Sequence, residues 1–174
     1  MSDNNARFNA WAHEYSTDLY RYGLWLCKDP TLANDLVQET FLRAWRAMDK
    51  LRDEKAVKGW LVTILRREFA RTFERKVPDI RTLDGLEIPD SPDETPDERT
   101  ELGQIREEML SLDPKYREPL VLQVIVGLSC EEIATELGIS KSAVMTQLFR
   151  ARQKLKTALD PESGGDDGKV HRLA

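Results

Sequence analysis

Residues 77–100 hold four prolines (Pro78, Pro89, Pro92 and Pro96) and eight acidic side chains against two arginines, with few apolar residues among them. Such a stretch cannot bury enough apolar surface to offset the entropy of ordering it, so it reads as a tether. No single core runs through a tether, and the 174-residue chain therefore divides into modules at 5–76 and 101–159, with a Gly- and Asp-rich tail at 160–174. Neither module shows the period-two alternation or Asn-Gly turns of strands; both carry apolar residues at helical spacing. The expected fold is all-α: two small helical bundles joined by a flexible acidic linker, the second containing a helix-turn-helix, ending in a disordered tail.

The formal net charge of −5 argues against a nucleic-acid binder only until it is divided along the chain, because partners feel local fields. Residues 1–76 carry 14 basic against 11 acidic side chains, and 101–156 carry eight of each. Within the second module, Lys141, Arg150, Arg152, Lys154 and Lys156 lie in a stretch without a single acid.

Several classes of function are disfavoured. The longest apolar run, Pro119–Gly127, is far shorter than the roughly 18–20 residues of a membrane span, and Met1–Arg7 is polar with no apolar segment behind it. The expectation is a cytoplasmic protein with no membrane insertion. Cys27 and Cys130 stand about a hundred positions apart, and His13 and His171 are equally isolated, so neither a metal site nor a disulfide framework is expected. No Ser/His/Asp or Cys/His set and no phosphate loop is present; the chain is expected to be no enzyme, with no catalytic residues and no cofactor.

The segment 129–155 has the layout of a helix-turn-helix. Ile133, Ala134 and Leu137 fit a short first helix, with Ala134 small enough for close approach of a second. Gly138 can take the left-handed backbone that ends it, Ile139 plugs the core, and Ser140 is placed to cap the next helix. On that helix Val144, Leu148, Ala151 and Leu155 form one stripe, and Ser142, Thr146, Phe149 and Arg150 gather opposite. Hydroxyls, a guanidinium and an aromatic ring suit the base edges of a major groove, with Lys141, Arg152 and Lys154 flanking to hold phosphates.

In the first module, Val37, Phe41, Ala44, Trp45 and Met48 share a helix face that is expected to be core. The opposite face groups Asp35, Gln38, Glu39, Leu42 and Arg46, an apolar residue ringed by polar ones, which is the anatomy of a protein-docking spot. Downstream, Leu61, Ile64, Leu65 and Phe69 are expected to be buried, while Thr63, Arg66, Arg67 and Arg71 face away with Trp60 at the border. A basic face beside an aromatic can hold backbone phosphates and capture an unpaired base; Trp60 is equally consistent with a core position. The segment 48–59, with Lys50, Arg52, Lys55 and Lys58, either reaches over a single strand or is a polar connection.

These residues carry a family resemblance. Asp-Leu-Val-Gln-Glu-Thr-Phe at 35–41, Ala44-Trp45, Trp60-Leu61 and the Arg-rich helix are followed by Leu112-Asp113-Pro114, Arg117-Glu118, Glu132-Ile133-Ala134, Leu137-Gly138-Ile139-Ser140 and Arg150-Ala151-Arg152. The run resembles a bacterial sigma factor of the minimal extracytoplasmic-function type, which keeps only the second and fourth conserved regions. The resemblance implies a transcription-initiation subunit that binds core RNA polymerase at the clamp and flap regions and directs it to stress-responsive promoters. It places Asp35, Gln38, Glu39, Leu42 and Arg46 on the clamp. It places Lys55, Lys58, Trp60, Thr63, Arg66, Arg67 and Arg71 on the melted −10 strand. Lys141, Ser142, Met145, Thr146, Gln147, Phe149, Arg150 and Arg152 fall on the −35 duplex. It also implies an anti-sigma partner. The sequence departs from the family pattern at Arg67 and Arg71, where Asn and Asp are usual, and at Met145 and Gln147, where Lys and Arg are frequent. A helix-turn-helix regulator acting alone is the competing reading, and it lacks a dimerisation heptad.

Overall fold

The computed structural model describes residues 3–76 and 96–160, with side chains for 3–72 and 101–160. The bulk of the tether, 77–95, and the tail from 161 onward lie outside the described residues.

Three helices make the first bundle: α1 (Asp3–Cys27), α2 (Pro30–Ala47) and α3 (Val57–Lys76). Four make the second: α4 (Pro96–Ser111), α5 (Pro114–Val121), α6 (Cys130–Leu137) and α7 (Lys141–Leu159). No strand occurs among the described residues. Helix α4 begins at Pro96, so the last five positions of the 77–100 stretch are helical rather than part of the connection.

The helix starts are written in short local signals. Asp29 accepts from the amides of Thr31 (2.9 Å) and Leu32 (3.3 Å), with Pro30 at the first helical position, and Asp113 followed by Pro114 repeats the device at α5. Between α1 and α2 the chain reverses through Lys28, whose φ of 55° is left-handed. Between α5 and α6 the helix widens into a π-helical turn, Leu122–Val126, which Gly127 ends at a φ of 79°.

The α2 stripe that faces inward is Ala33, Leu36, Thr40, Ala44 and Met48. Val37 and Phe41 are half-buried, and Trp45, expected in the core, is 41% exposed, leaning edge-on against Phe8 at 5.0 Å. The reason is angular: Trp45 stands one residue beyond the line through Ala33, Leu36, Thr40 and Ala44, which puts it on the rim of the stripe. Thr40 tolerates burial because its hydroxyl donates to the Leu36 carbonyl at 2.7 Å.

Helix α3 buries Val57, Leu61, Val62 and Leu65, with Ile64 and Phe69 at the edge. Its next inward position is a carboxylate, Glu68, only 6% exposed and held by Arg43 (2.7 Å) and Arg71 (2.6 Å). A buried charge persists only where such partners replace its water.

The two bundles do not stand apart. Their buried apolar side chains, from Trp11, Leu19 and Leu61 to Leu122, Val126 and Ile133, form one continuous core, with α1 against the π-helical turn and α3 against α6. Periodicity within each helix specified the two bundles, but nothing local to either specified this packing between them.

Candidate nucleic-acid interface

The helix-turn-helix is built as its residues dictate. Ser129 and Glu132 form a reciprocal capping box at the start of α6, Gly138 closes α6 at a φ of 66°, and the Ser140 hydroxyl accepts from the Ala143 amide at 3.1 Å. Val144, Leu148 and Ala151 are buried and Leu155 half-buried, so α7 has one face fixed against its own bundle.

The opposite face is open. Phe149 is 62% and Met145 55% exposed, amid exposed Ser142, Thr146 and Arg150. Gln147 is half-buried at the margin. A cleft of about 290 Å³ runs beside this face and is completed by Lys115 and Tyr116 of α5. Sequence reasoning missed these two, which have no helical-spacing relation to α7. Lys154 and Lys115 each approach the Tyr116 ring to 5.7 Å. Lys141 is hydrogen-bonded to Glu131, which holds the Glu131 carboxyl below its ordinary pKa and raises that of Lys141. Arg152 is hydrogen-bonded to Gln123 on the π-helical turn. Both cations are exposed.

The first bundle disperses the residues that sequence reasoning grouped. Trp60 is half-buried, its ring 6.3 Å from that of Trp11 and nearly perpendicular to it. Lys55 is exposed on the segment between α2 and α3. That segment is anchored rather than loose. Glu54 accepts from Arg7 Nε (2.9 Å) and Trp11 Nε1 (3.1 Å), and Asn4 donates to Asp49 at 3.0 Å. Lys58 is paired with Asp18 at 2.8 Å.

Thr63 and Arg66 point at the second bundle. The Thr63 hydroxyl donates to Glu136 Oε2, Arg66 Nε lies 3.5 Å from Glu136 Oε1, and Arg66 Nη2 lies 3.9 Å from Glu118. Arg67 is exposed. Arg71 parts company with both: it is clamped on Glu68 and lines a cleft of about 260 Å³ with Asp35 and Glu39. Arg71 thus stands with the α2 face, because eight residues along a helix turn the side chain by roughly 80°. Of the acids that meet α3, Glu136 was not singled out from the sequence, and Glu118 was noted only within the Arg117-Glu118 pair. An ion pair between elements seventy residues apart leaves no local pattern.

On α2 the expected cluster is contiguous. Leu42 is 53% exposed among exposed Asp35, Gln38 and Arg46, with Glu39 half-buried and paired to Arg43 at 2.9 Å. Below the joint between bundles lies a crevice of about 510 Å³ reached by Tyr22, Phe69, Arg66 and Glu118. Burial pushes the Tyr22 phenol up to about 12.

Among the described residues no group of His, Cys, Asp or Glu is arranged to hold a metal, and no helix is long and apolar enough to cross a membrane.

Comparison with known proteins meets this geometry from outside. The family model for sigma-70 region 2 matches residues 11–77, and that for sigma-70 region 4 matches 102–155. The ECF RNA polymerase sigma factor SigM of Bacillus subtilis is 32% identical over 145 residues, covering 82% of this chain and 88% of that protein. The RNA polymerase sigma factor CnrH of Cupriavidus metallidurans is 32% identical over 145 residues, covering 76% of each. Among solved structures, CnrH in complex with the cytosolic domain of CnrY superposes with a TM-score of 0.65 at 28% identity, over 92% of both chains. The sigma factor RpoE of Bartonella quintana, in complex with the anti-sigma factor NepR, has the same fold at a TM-score of 0.71 and 24% identity, over 90% of this chain and 98% of that one.

Proposed function

Because the chain belongs to the extracytoplasmic-function branch of the sigma-70 family, we propose a division of promoter recognition between its two bundles. The protein is an RNA polymerase sigma factor that directs transcription initiation and binds DNA as part of the holoenzyme. Its partners are core polymerase, promoter DNA and an anti-sigma factor.

In this reading residues 5–76 are the region 2 domain, 77–100 the linker, 101–159 the region 4 domain and 160–174 a tail. Helix α7 enters the major groove of the −35 element. Ser142, Thr146, Phe149 and Arg150 face base edges there, with Met145 and Gln147 beside them and Lys141 and Arg152 on phosphates. The α2 face around Leu42, with Asp35, Gln38, Glu39 and Arg46, docks on the polymerase clamp, and the second bundle meets the flap. Lys55, Lys58, Trp60, Thr63, Arg66 and Arg67 engage the −10 strand. Arg71 joins them only if it leaves Glu68. The factor performs no catalysis of its own, works in the cytoplasm and serves stress-responsive promoters.

The observation that carries the reading is the bare face of α7: an exposed Phe and Met among Ser, Thr and Arg, on an acid-free helix fixed by a capped helix-turn-helix. A solvated surface has no use for that combination, and a major groove has a use for each part of it. The test is transcription in vitro from promoters of the source genome with core polymerase. Promoter-specific transcripts that require the chain are expected; silence on every promoter, including that of its own gene, would overturn the reading.

A further inference from the structure

Three polar side chains converge on the crevice beneath the joint, and none has an anionic partner among the described residues. Tyr22 of α1 lines it while only 4% exposed, yet its phenol makes no hydrogen bond among those residues. A hydroxyl that has lost its water and gained nothing in return is rare in a folded core. Burial pushes its pKa up to about 12, so the group keeps its proton at neutral pH and offers it as a donor. Lys28 lines the same crevice from the reversal between α1 and α2, half-buried and without an ion pair among the described residues. Arg117 of α5 is also half-buried; its Nη1 donates to the Leu110 carbonyl at 2.8 Å, and the guanidinium meets no carboxylate. Arg66 differs from both, since Glu136 and Glu118 already attend it. The remaining walls are apolar: Trp25 and Leu26 from α1, Phe69 and Ala70 from α3, and Val121 from α5. Glu118 is the one acid among the lining residues, against three cations.

We propose that this crevice is a binding site for a small organic anion with an aromatic or branched apolar body. The anionic group, a carboxylate or sulfonate, is drawn to Lys28 and Arg117, an acceptor atom meets the Tyr22 hydroxyl, and the body lies against Trp25 and Phe69. A volume of about 510 Å³ is that of a small-molecule site, and apolar walls with a few placed polar groups are its usual lining. The chemistry of the lining selects the class. An inorganic phosphate would leave the aromatic walls uncovered, and a neutral hydrocarbon would leave the two cations and the phenol as they are. The walls come from helices of both bundles, so the ligand binds the folded chain and not its unfolded form, and occupancy raises thermal stability by mass action.

The test uses the full chain and anilinonaphthalene sulfonate, an aromatic monoanion that fluoresces on leaving water, with N-phenylnaphthylamine, which lacks the sulfonate, as the neutral probe. Saturable binding of one sulfonate per chain is expected, with the neutral probe about tenfold weaker. Tyr22→Phe, which removes only the hydroxyl, and Lys28→Gln are each expected to weaken the sulfonate about three- to tenfold. Lys156→Gln, which removes the same charge as Lys28→Gln from an exposed position near the end of α7, is expected to leave its affinity unchanged. The sulfonate is also expected to raise the midpoint of thermal unfolding, whereas binding to a loosened chain would lower it. No saturable binding below about 1 mM probe, equal affinity for the two probes, an affinity that either Tyr22→Phe or Lys28→Gln leaves unchanged, or a lowered midpoint overturns the inference.

Discussion

Helices α3 and α7 are both basic, both amphipathic and both assigned to DNA, yet the structure leaves them in different conditions. The outer face of α7 is open, with Phe149 and Met145 exposed, Lys141 bonded to the exposed Glu131 and Arg152 to the half-buried Gln123. The outer face of α3 is divided: Thr63 and Arg66 lie against Glu136 and Glu118, Arg71 is clamped on Glu68 of its own helix, and Arg67 is exposed. Composition does not separate these outcomes. What separates them is whether the acid that meets the basic side chain is itself shielded from water, as Glu136 and Glu68 are and Glu131 is not, and that is a property of the tertiary arrangement.

The comparison breaks most visibly if α7 does not keep its two faces independent. Leu148 is fully buried and its neighbour Phe149 is not. Leu148→Ala is expected to cost about 2–5 kcal/mol of stability by denaturant titration, and Phe149→Ala less than about 0.5 kcal/mol while weakening duplex binding. Equal losses of stability would mean that Phe149 is packed.

Next in size is the burial around α3, probed by alkali. The phenol of Tyr22, beneath the joint, has its pKa raised from 10.0 to about 12 by burial. The unfolded chain therefore releases this proton first, and stability is intact below pH 10 and falls between about pH 10 and 12. The loss should amount to about 2–3 kcal/mol. Tyr22→Phe should flatten that part of the profile, and a profile unchanged by the substitution would show that the joint does not enclose Tyr22.

Third is the reading of the open face. Arg150→Ala is expected to cost about 1–3 kcal/mol on the preferred −35 sequence and less on others, measured by competition binding of the holoenzyme. A uniform loss across sequences would make Arg150 a phosphate contact.

The smallest effect sharpens the division within α3. Arg71→Ala is expected to destabilise the chain by about 1 kcal/mol, because Glu68 keeps Arg43, while Arg67→Ala stays within about 0.5 kcal/mol. Thermal unfolding distinguishes them, and identical midpoints would release Arg71 from its structural role.

What the sequence made legible follows the same line. The helix-turn-helix could be read residue by residue because caps, a left-handed glycine and a stripe at helical spacing are all local, and Ser140, Gly138, Val144 and Leu148 behave as that pattern requires. The cluster around Leu42 was legible for the same reason. Trp45 was misjudged because a stripe has an edge that periodicity does not locate, and the burial of Glu68 leaves no local mark because Arg43 of α2 is brought to it only on folding. The meeting of Thr63 with Glu136 was beyond sequence reading altogether: each residue looks ordinary in its own helix.

The π-helical turn Leu122–Val126 governs how α7 is aimed relative to α5. Relative to an uninterrupted α-helix, such a turn amounts to one surplus residue, and one residue is about 100° of rotation. Val124, largely exposed, is the natural candidate for that surplus. Its deletion would let the segment relax to ordinary pitch with everything downstream still nearly in phase with α5, whereas the same relaxation with the residue kept would swing α7 around by about 100° while every one of its own side chains stayed intact.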